Sequence, residues 1–278
     1  MDINAILISM VSMGGLGILF SAGLSIANKK LYVEEDSRIV QIADELPGAN
    51  CGGCGLPGCN SFAENVVNAK IGIDGCPVST EDAVAEIATI MGIEAVAGEK
   101  KIARIICRGG NDETAKKADY HGIQTCTAAK LMGGGEKLCN YGCLGFGECV
   151  DACPFDAIFM TENGLPEVIK DKCTGCGKCA EACPREIIEI HPISNKLFVL
   201  CKNHDAPKIA RTVCTKACIG CQICVRAVDE GAMFMDNHLA KINYDVFGKH
   251  PELPTEKCST KGLVIIEHES QPTEQISI

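Results

Sequence analysis

Cysteine placement constrains this chain more than any other feature of its sequence. The chain has 20 cysteines among 278 residues, and one run reads Cys173-x2-Cys176-x2-Cys179-x3-Cys183-Pro184. Thiols spaced this closely converge on a metal centre more readily than they find distant disulfide partners. The run has the spacing of iron–sulfur ligands, in which three thiolates hold one [4Fe-4S] cluster and the fourth reaches to another. It therefore predicts electron-transfer chemistry.

Composition narrows the class of protein further. Aromatic residues make up 4% of the chain and tryptophan is absent, which suits modules whose inorganic core supplies rigidity in place of aromatic packing. The net charge of -10 gives no general support for nucleic-acid binding. Dense cysteine in a long chain without a signal peptide indicates a reducing compartment and not a disulfide scaffold.

The first 30 residues predict a membrane anchor. No charged side chain occurs from Ile3 to Asn28, and a helix of this length crosses a hydrocarbon core of about 30 Å. The segment lacks a basic leader and a cleavage site, which favours an uncleaved helix over a signal peptide. Lys29 and Lys30 follow at once. By the positive-inside rule they predict a single-pass protein of the cell (inner) membrane with a cytoplasmic C-terminal region.

The remainder predicts an α+β fold made of several iron–sulfur units. Apolar patterns at 33–48 and 83–96 indicate helices, and residues 31–98 are expected to form a small helical [4Fe-4S] domain. An internal repeat follows, because Cys139-x3-Cys143 is echoed by Cys214-x3-Cys218. We therefore expect a duplicated ferredoxin-like arrangement, with a two-cluster domain at 99–195, a degenerate second unit at 196–269 and a flexible tail at 270–278.

Two complete ligand sets stand out. The first lies in the glycine-rich stretch CGGCGLPGC and comprises Cys51, Cys54, Cys59 and Cys76. Four cysteines also suit a structural zinc, but this spacing is not that of paired zinc knuckles. The second set has the crossed ferredoxin pattern and comprises Cys153, Cys173, Cys176 and Cys179.

Two further sets depart from the pattern. Phe146 stands where a middle cysteine belongs, and we take Cys139 as its replacement beside Cys143, Cys149 and Cys183. Val228 stands where the second repeat needs its crossing cysteine, so Cys258 is the remote ligand expected for Cys218, Cys221 and Cys224.

Four cysteines remain: Cys107, Cys126, Cys201 and Cys214. They are either ligands of an extra cluster or buried thiols that behave as small hydrophobes. We therefore expect three [4Fe-4S] clusters, a fourth at Cys218 to Cys258, and leave a fifth open. The sequence contains no evident catalytic residues and no nicotinamide- or flavin-binding motif.

The order of these motifs resembles that of the B subunits of Rnf complexes. The resemblance rests on the apolar N-terminal helix, CGGCGLPGC with Cys76-Pro77, CNYGCLGFGECVDACPFDAI and CTGCGKCAEACP. The extended cysteine region is similar to that of clostridial and acetogen members. Rnf complexes are ion-translocating ferredoxin:NAD oxidoreductases. The resemblance implies an electron-transfer subunit without substrate chemistry of its own, which accepts electrons from reduced ferredoxin and relays them to membrane and NADH-side partner subunits that transport Na+ or H+.

Two other classes of protein stay open. One is the iron–sulfur subunit of a membrane hydrogenase or formate dehydrogenase, and the other is a zinc-binding membrane scaffold. A local excess of basic residues also points to a docking surface for acidic ferredoxin, against the alternative of a solvated face. This basic segment comprises Lys202, Lys208, Arg211, Lys216 and Arg226.

Overall fold

A computed structural model describes residues 3–31, 36–94, 98–247 and 255–266. The N-terminal helix predicted from the sequence is confirmed as α1, Ile3–Leu31. One window within it, Met10–Lys30, is long and apolar enough to cross a membrane, with a mean hydropathy of 1.7 and no burial against the rest of the protein. The tail at 270–278 lies outside the described residues.

Three short helices form a separate core after α1. They are α2 (Ser37–Glu45), α3 (Cys59–Val67) and α4 (Glu81–Met91). Both helices predicted around 33–48 and 83–96 occur, although residues 33–35 and 95–97 are not described. The side chains of Asp36 and Thr80 cap α2 and α4 by accepting backbone hydrogen bonds. Ile42, Phe62 and Ile87 are almost completely buried between the helices.

The next part of the chain combines two antiparallel strand pairs with three helices. Strand β1 pairs with β4, and β2 pairs with β3 in a hairpin. The bounds of the strands are Lys101–Ile105, Ile158–Met160, Pro166–Val168 and Ile188–Pro192. The helices are α5 (Cys126–Leu131), α6 (Glu148–Asp151) and α7 (Lys178–Ala182). Ile102, Ile158 and Ile188 belong to a core that also contains cysteine side chains.

The same pairing order then recurs. Strand β5 pairs with β8 and β6 pairs with β7, both antiparallel. The bounds of these strands are Leu197–Val199, Met233–Asp236, Leu239–Ile242 and Leu263–Ile265. The helices are α8 (Pro207–Val213), α9 (Ile223–Arg226) and α10 (Tyr244–Phe247), followed by a 3-10 turn at Thr255–Lys257. Each outer strand pair thus joins the beginning and the end of its own segment.

The two segments pack against each other through apolar side chains and one cation. Ile106 from the first segment shares a small core with Phe198 and Leu200 from the second. The Arg104 guanidinium lies 5.2 Å from the centre of the Phe198 ring. Arg104 is 6% exposed, so this contact with the ring face is largely desolvated. The contact joins β1 of the first segment to β5 of the second.

Deleting residues 1–28 should release a soluble protein that keeps its brown colour. The described side chains of this segment contribute nothing to the buried cores, and the segment contains no cysteine. Membrane fractionation and visible absorption of the truncated and full-length chains measure the outcome. Loss of colour in an otherwise folded truncation would contradict the expected independence of α1.

Candidate iron–sulfur centres

The first cysteine set lies in the loops of the helical unit and at the first residue of α3, and is called the N-terminal site: Cys51, Cys54, Cys59 and Cys76. Three of its members pack against the core of α2, α3 and α4. Asn50 closes the loop, because its side-chain oxygen accepts a hydrogen bond of 2.9 Å from the Cys59 amide. The Gly53 amide donates to Cys51 Sγ at 3.5 Å. The glycine-rich loop therefore aims a backbone donor at a ligand sulfur, as iron–sulfur sites do.

The second set lines one cavity and is called the Cys173 site: Cys153, Cys173, Cys176 and Cys179. The Ala103 amide, on β1, donates to Cys173 Sγ at 3.4 Å. The Ala157 amide donates to Cys153 Sγ at the same distance. The structure thus brings together the four residues that the crossed pattern predicts.

A third cavity differs from the sequence-based grouping. It is lined by Cys126, Cys143, Cys149 and Cys183, and we call it the Cys126 site. Cys139 lines another cavity, so the structure departs from the predicted group of Cys139, Cys143, Cys149 and Cys183 in the placement of that one member.

Two contacts explain why Cys126 takes this place. The Glu148 carboxylate, at the start of α6, accepts hydrogen bonds from the Thr127 amide and hydroxyl at 2.9 to 3.2 Å. These bonds tie the first turn of α5 to α6. Phe146 occupies the missing ligand position, and the backbone amides of Phe146 and Glu148 partly offset the effect of burial, which raises the pKa of the Cys126 thiol. A cysteine distant in sequence therefore fills the gap.

Cys139 belongs to a fourth cavity between the two strand-paired segments. Its cysteines are Cys107, Cys139, Cys201 and Cys214, and we call it the central site. Each segment contributes two of them. The Gly109 and Cys143 amides both donate to Cys107 Sγ at 3.4 Å, and the Asn203 and Cys218 amides donate to Cys201 Sγ at 3.4 and 3.3 Å. The two halves of the site thus repeat one hydrogen-bond pattern.

The segment 113–117 holds the two halves of the central site together. On one side it bonds through its backbone to residues near Cys214, because the Ala115 amide donates to Val213 O at 2.9 Å. On the other side the Leu138 amide donates to Ala115 O at 2.7 Å, next to Cys139. This bridging backbone holds Cys139 near Cys214 and away from Cys143. It is the physical reason why Cys139 does not lie with Cys143, Cys149 and Cys183.

The last set lines its own cavity and is called the Cys221 site: Cys218, Cys221, Cys224 and Cys258. The structure brings these four residues together as the sequence predicts. Cys221 is exposed, whereas the other 19 cysteines are buried or half-buried. This site is therefore the one with a ligand open to a partner in solution.

The donor sets fit iron–sulfur clusters. Burial raises the pKa of the Cys143 and Cys201 thiols to about 12, so these sulfurs need a positive centre before they can act as thiolates. Thr174 Oγ1 in the Cys173 cavity and Arg185 Nε in the Cys126 cavity are buried without a hydrogen-bond partner among the described residues. Cluster sulfurs would supply acceptors for both.

The internal repeat in the sequence indicates the central site, although the ligand sets predicted from spacing do not include it. Cys139 and Cys214 occupy equivalent positions of the internal repeat, as do Cys107 and Cys201. Equivalent positions at a repeat interface can meet in space. Once Cys139 is paired with Cys214, Cys126 is the cysteine left over for the gap at Phe146.

Two family models match the chain. A model described as "Putative Fe-S cluster" covers residues 46–78, which include the N-terminal site. A model described as "4Fe-4S dicluster domain" covers residues 138–190. These matches identify iron–sulfur domains and agree with [4Fe-4S] cofactors. They do not favour a zinc-binding scaffold.

Three curated relatives cover most of the chain, and each is the B subunit of a redox complex. The chain is 47% identical to that of the Na(+)-translocating ferredoxin:NAD(+) oxidoreductase complex of Acetobacterium woodii, over 87% of this chain and 73% of that protein. It is 38% identical to that of the ion-translocating oxidoreductase complex of Methanosarcina acetivorans, over 94% and 96%. It is 36% identical to that of the proton-translocating ferredoxin:NAD(+) oxidoreductase complex of Clostridium ljungdahlii, over 95% and 93%.

These matches span the helical unit and both strand-paired segments, and they do not favour a hydrogenase or formate dehydrogenase subunit. The motif order, the five cysteine sets and the relatives agree with the resemblance noted in the sequence. The chain belongs to the family of B subunits of ion-translocating ferredoxin:NAD oxidoreductase (Rnf) complexes.

Proposed function

We propose that this protein holds five [4Fe-4S] clusters, one at each site, and relays electrons from reduced ferredoxin to partner subunits of its complex. Bound clusters supply the one-electron redox chemistry. The observation that carries the proposal is that the ligands of successive sites are directly connected, by backbone hydrogen bonds, by shared helices or by a close backbone contact. All 20 cysteines of the chain are used in this assignment.

The connecting bonds support one order of sites at the solvent-exposed end. The Cys218 amide donates to Cys201 Sγ at 3.3 Å, which joins the Cys221 site to the central site. The Cys143 amide donates to Cys107 Sγ at 3.4 Å, which joins the central site to the Cys126 site. Electron tunnelling weakens steeply with distance, so ligands in direct contact favour transfer between neighbouring sites.

Two short helices continue the order. Cys149 and Cys153 lie within and just beyond α6, and Cys179 and Cys183 lie within and at the end of α7. Each helix thus gives one ligand to the Cys126 site and one to the Cys173 site, which is the crossed pattern of a two-cluster ferredoxin. This sharing of α6 and α7 supports tight coupling between the Cys126 and Cys173 sites.

The last step reaches the N-terminal site through a glycine. A side chain at Gly53 would place its Cβ 2.9 Å from both the Cβ and the carbonyl oxygen of Cys176. Such a distance excludes any side chain larger than hydrogen, so the two ligand loops are in backbone contact. We infer the order Cys221 site, central site, Cys126 site, Cys173 site, N-terminal site.

The proposed setting is a single-pass anchor with the cysteine-rich body in the cytoplasm. Lys29 and Lys30 in the last turn of α1 support this orientation. We infer two ferredoxin-like units at 99–195 and 196–269, preceded by the helical unit at 31–98. The recurring order of strand pairing supports the duplication. The N-terminal site, nearest to the anchor along the chain, is the one we assign to contacts with membrane partner subunits.

We infer that ferredoxin docks on the basic face near the Cys221 and central sites. Lys208 and Arg211 are exposed on α8, whose buried Ala210 and Val213 pack over Cys139 and Cys214. A positive surface steers an acidic partner within about 10 Å, the screening length near 0.1 M salt. Lys216 lines the central cavity, so it is unsuitable for testing docking alone.

Cysteine replacement tests the grouping of ligands. The intact chain should contain about 20 irons, four for each site. Cys126→Ala and Cys149→Ala should each remove one [4Fe-4S] EPR signal, and the double variant should lose no more than either single one. Cys126→Ala combined with Cys139→Ala should remove two signals, because these residues serve different sites. Iron analysis and quantitative EPR measure both results.

Opposite outcomes would reject the assignment. A Cys139→Ala, Cys149→Ala double variant that loses one signal would return Cys139 to the Cys126 site. An intact chain with fewer than about 12 irons would reject the multi-cluster relay itself, since three complete ligand sets already require that number.

Gly53→Val tests the contact between the N-terminal and Cys173 sites. The added side chain would push the two loops apart, so spin–spin broadening between the two reduced clusters should disappear while the iron content stays constant. EPR of the fully reduced protein measures the broadening. Gly98→Val is the matched control, because a Cβ at Gly98 meets no atom within 4 Å. Unchanged broadening in Gly53→Val would place the coupling elsewhere.

Charge reversal tests ferredoxin docking. Lys208→Glu with Arg211→Glu should slow electron uptake from ferredoxin and flatten its dependence on salt, while reduction by a small neutral donor stays the same. Stopped-flow absorbance measures both reactions. The control pair, Lys70→Glu with Lys172→Glu, makes the same change in net charge at other exposed positions. Equal slowing in both pairs would show a general charge effect and reject a local docking surface.

A further inference from the structure

A buried lysine lies beside the central site. Lys137 is 5% exposed, lines the central cavity and donates one hydrogen bond of 3.2 Å to the carbonyl oxygen of Gly109. Among the residues that the structure describes, no carboxylate oxygen lies within 4 Å of its ammonium group. The neutral carbonyl is therefore its one direct partner in this part of the protein.

Such a cation requires compensation from another source. Burying an ammonium group is costly, and a buried charge without an opposite partner is strongly destabilising. In the loaded protein the ligand thiolates of the cavity that Lys137 lines would supply negative charge. The Lys137 ammonium bonds the carbonyl of Gly109, two residues after Cys107 of the central site, and lies 4.0 Å from where a Cβ at Gly145 would be, two residues after Cys143 of the Cys126 site. It thus lies between two adjacent sites.

The central site also has the most basic lining of the four cavities that hold cysteine sets. Arg108, Lys137, Lys202 and Lys216 line it and no acidic residue does, although Lys202 is ion-paired with Glu189 outside the lining. The Cys126 cavity has Arg185 and Glu148, the Cys173 cavity has Lys178, and the Cys221 cavity has no charged lining residue. Lys178 is ion-paired with Glu181 at 2.9 Å and is more open to water, so its charge is screened.

Resting on the proposed relay, we propose that Lys137 sets the reduction potential of the central site and makes it the highest among these four sites. Reduction adds one electron from the donor and makes the site one unit more negative, without forming or breaking a bond. The buried ammonium offsets that added charge and so favours the reduced form. The central site would then hold an electron between the two ferredoxin-like units.

The test is a potentiometric EPR titration of the full-length protein with dithionite as reductant. Cys214→Ala identifies the central signal by removing it. In Lys137→Met that signal should move to a more negative potential by at least about 59 mV, a tenfold loss of electron occupancy for a one-electron couple. Lys137→Arg should leave the potential of the central signal close to that of the unmodified protein, because arginine keeps the positive charge.

The matched control is Lys116→Met. Lys116 faces Lys137 across an isolated antiparallel bridge, but its side chain is 56% exposed and paired with Glu136. The same loss of charge there should leave the central potential unchanged. Lys216→Met, at a half-buried position on the same cavity, is a second variant and should shift the potential in the same direction even where Lys137→Met assembles poorly.

Two results would overturn the inference. One is a central signal whose potential is unchanged in Lys137→Met, whatever the result for Lys216→Met. The other is a highest-potential signal that survives in Cys214→Ala. Either result would reject the role of Lys137 but not the proposed relay, provided that the unmodified chain contains the expected iron and all five clusters can be reduced. A low iron content in the unmodified chain would instead reject the proposed function.

Discussion

Buried sulfur is the constraint on which the rest of this structure depends. Nineteen of the 20 cysteines are at least half-buried, and burial raises the pKa of several thiols well above the usual range. Short strand pairs and four-residue helices could not by themselves bury enough apolar surface to form stable units. Metal binding supplies that missing free energy, because ligand sites of this kind form together with the fold.

The internal repeat gives the arrangement its continuity. In both segments a cysteine after the first strand accepts an amide hydrogen bond from the first ligand of the following cluster run. The pattern therefore joins the central site to one neighbour on each side. An insertion within either run would break this register as well as the local ligand set. The glycine contact at Gly53 extends the series to a unit with an unrelated helical core.

Local spacing predicted the sites whose ligands are close in sequence. The N-terminal helix, the helical unit, the Cys173 site and the Cys221 set all follow from motifs within the chain. The exchange of Cys126 and Cys139 could not be predicted from spacing, because it depends on the Glu148 contact with α5 and on the backbone bridge at 113–117. Such long-range bonds leave no periodic trace in the sequence. The repeat, in contrast, did contain the pairing of Cys139 with Cys214.

The division of the central ligands between the two segments has a consequence for assembly. Two of the four cysteines come from each segment, so neither segment can complete this site alone. Iron would act there as a cross-link between separately folding halves, in the way that a disulfide joins distant parts of a secreted chain. Maturation would have to insert this cluster after both halves are in contact. A cell short of iron would then accumulate chains whose two halves are not joined through this site.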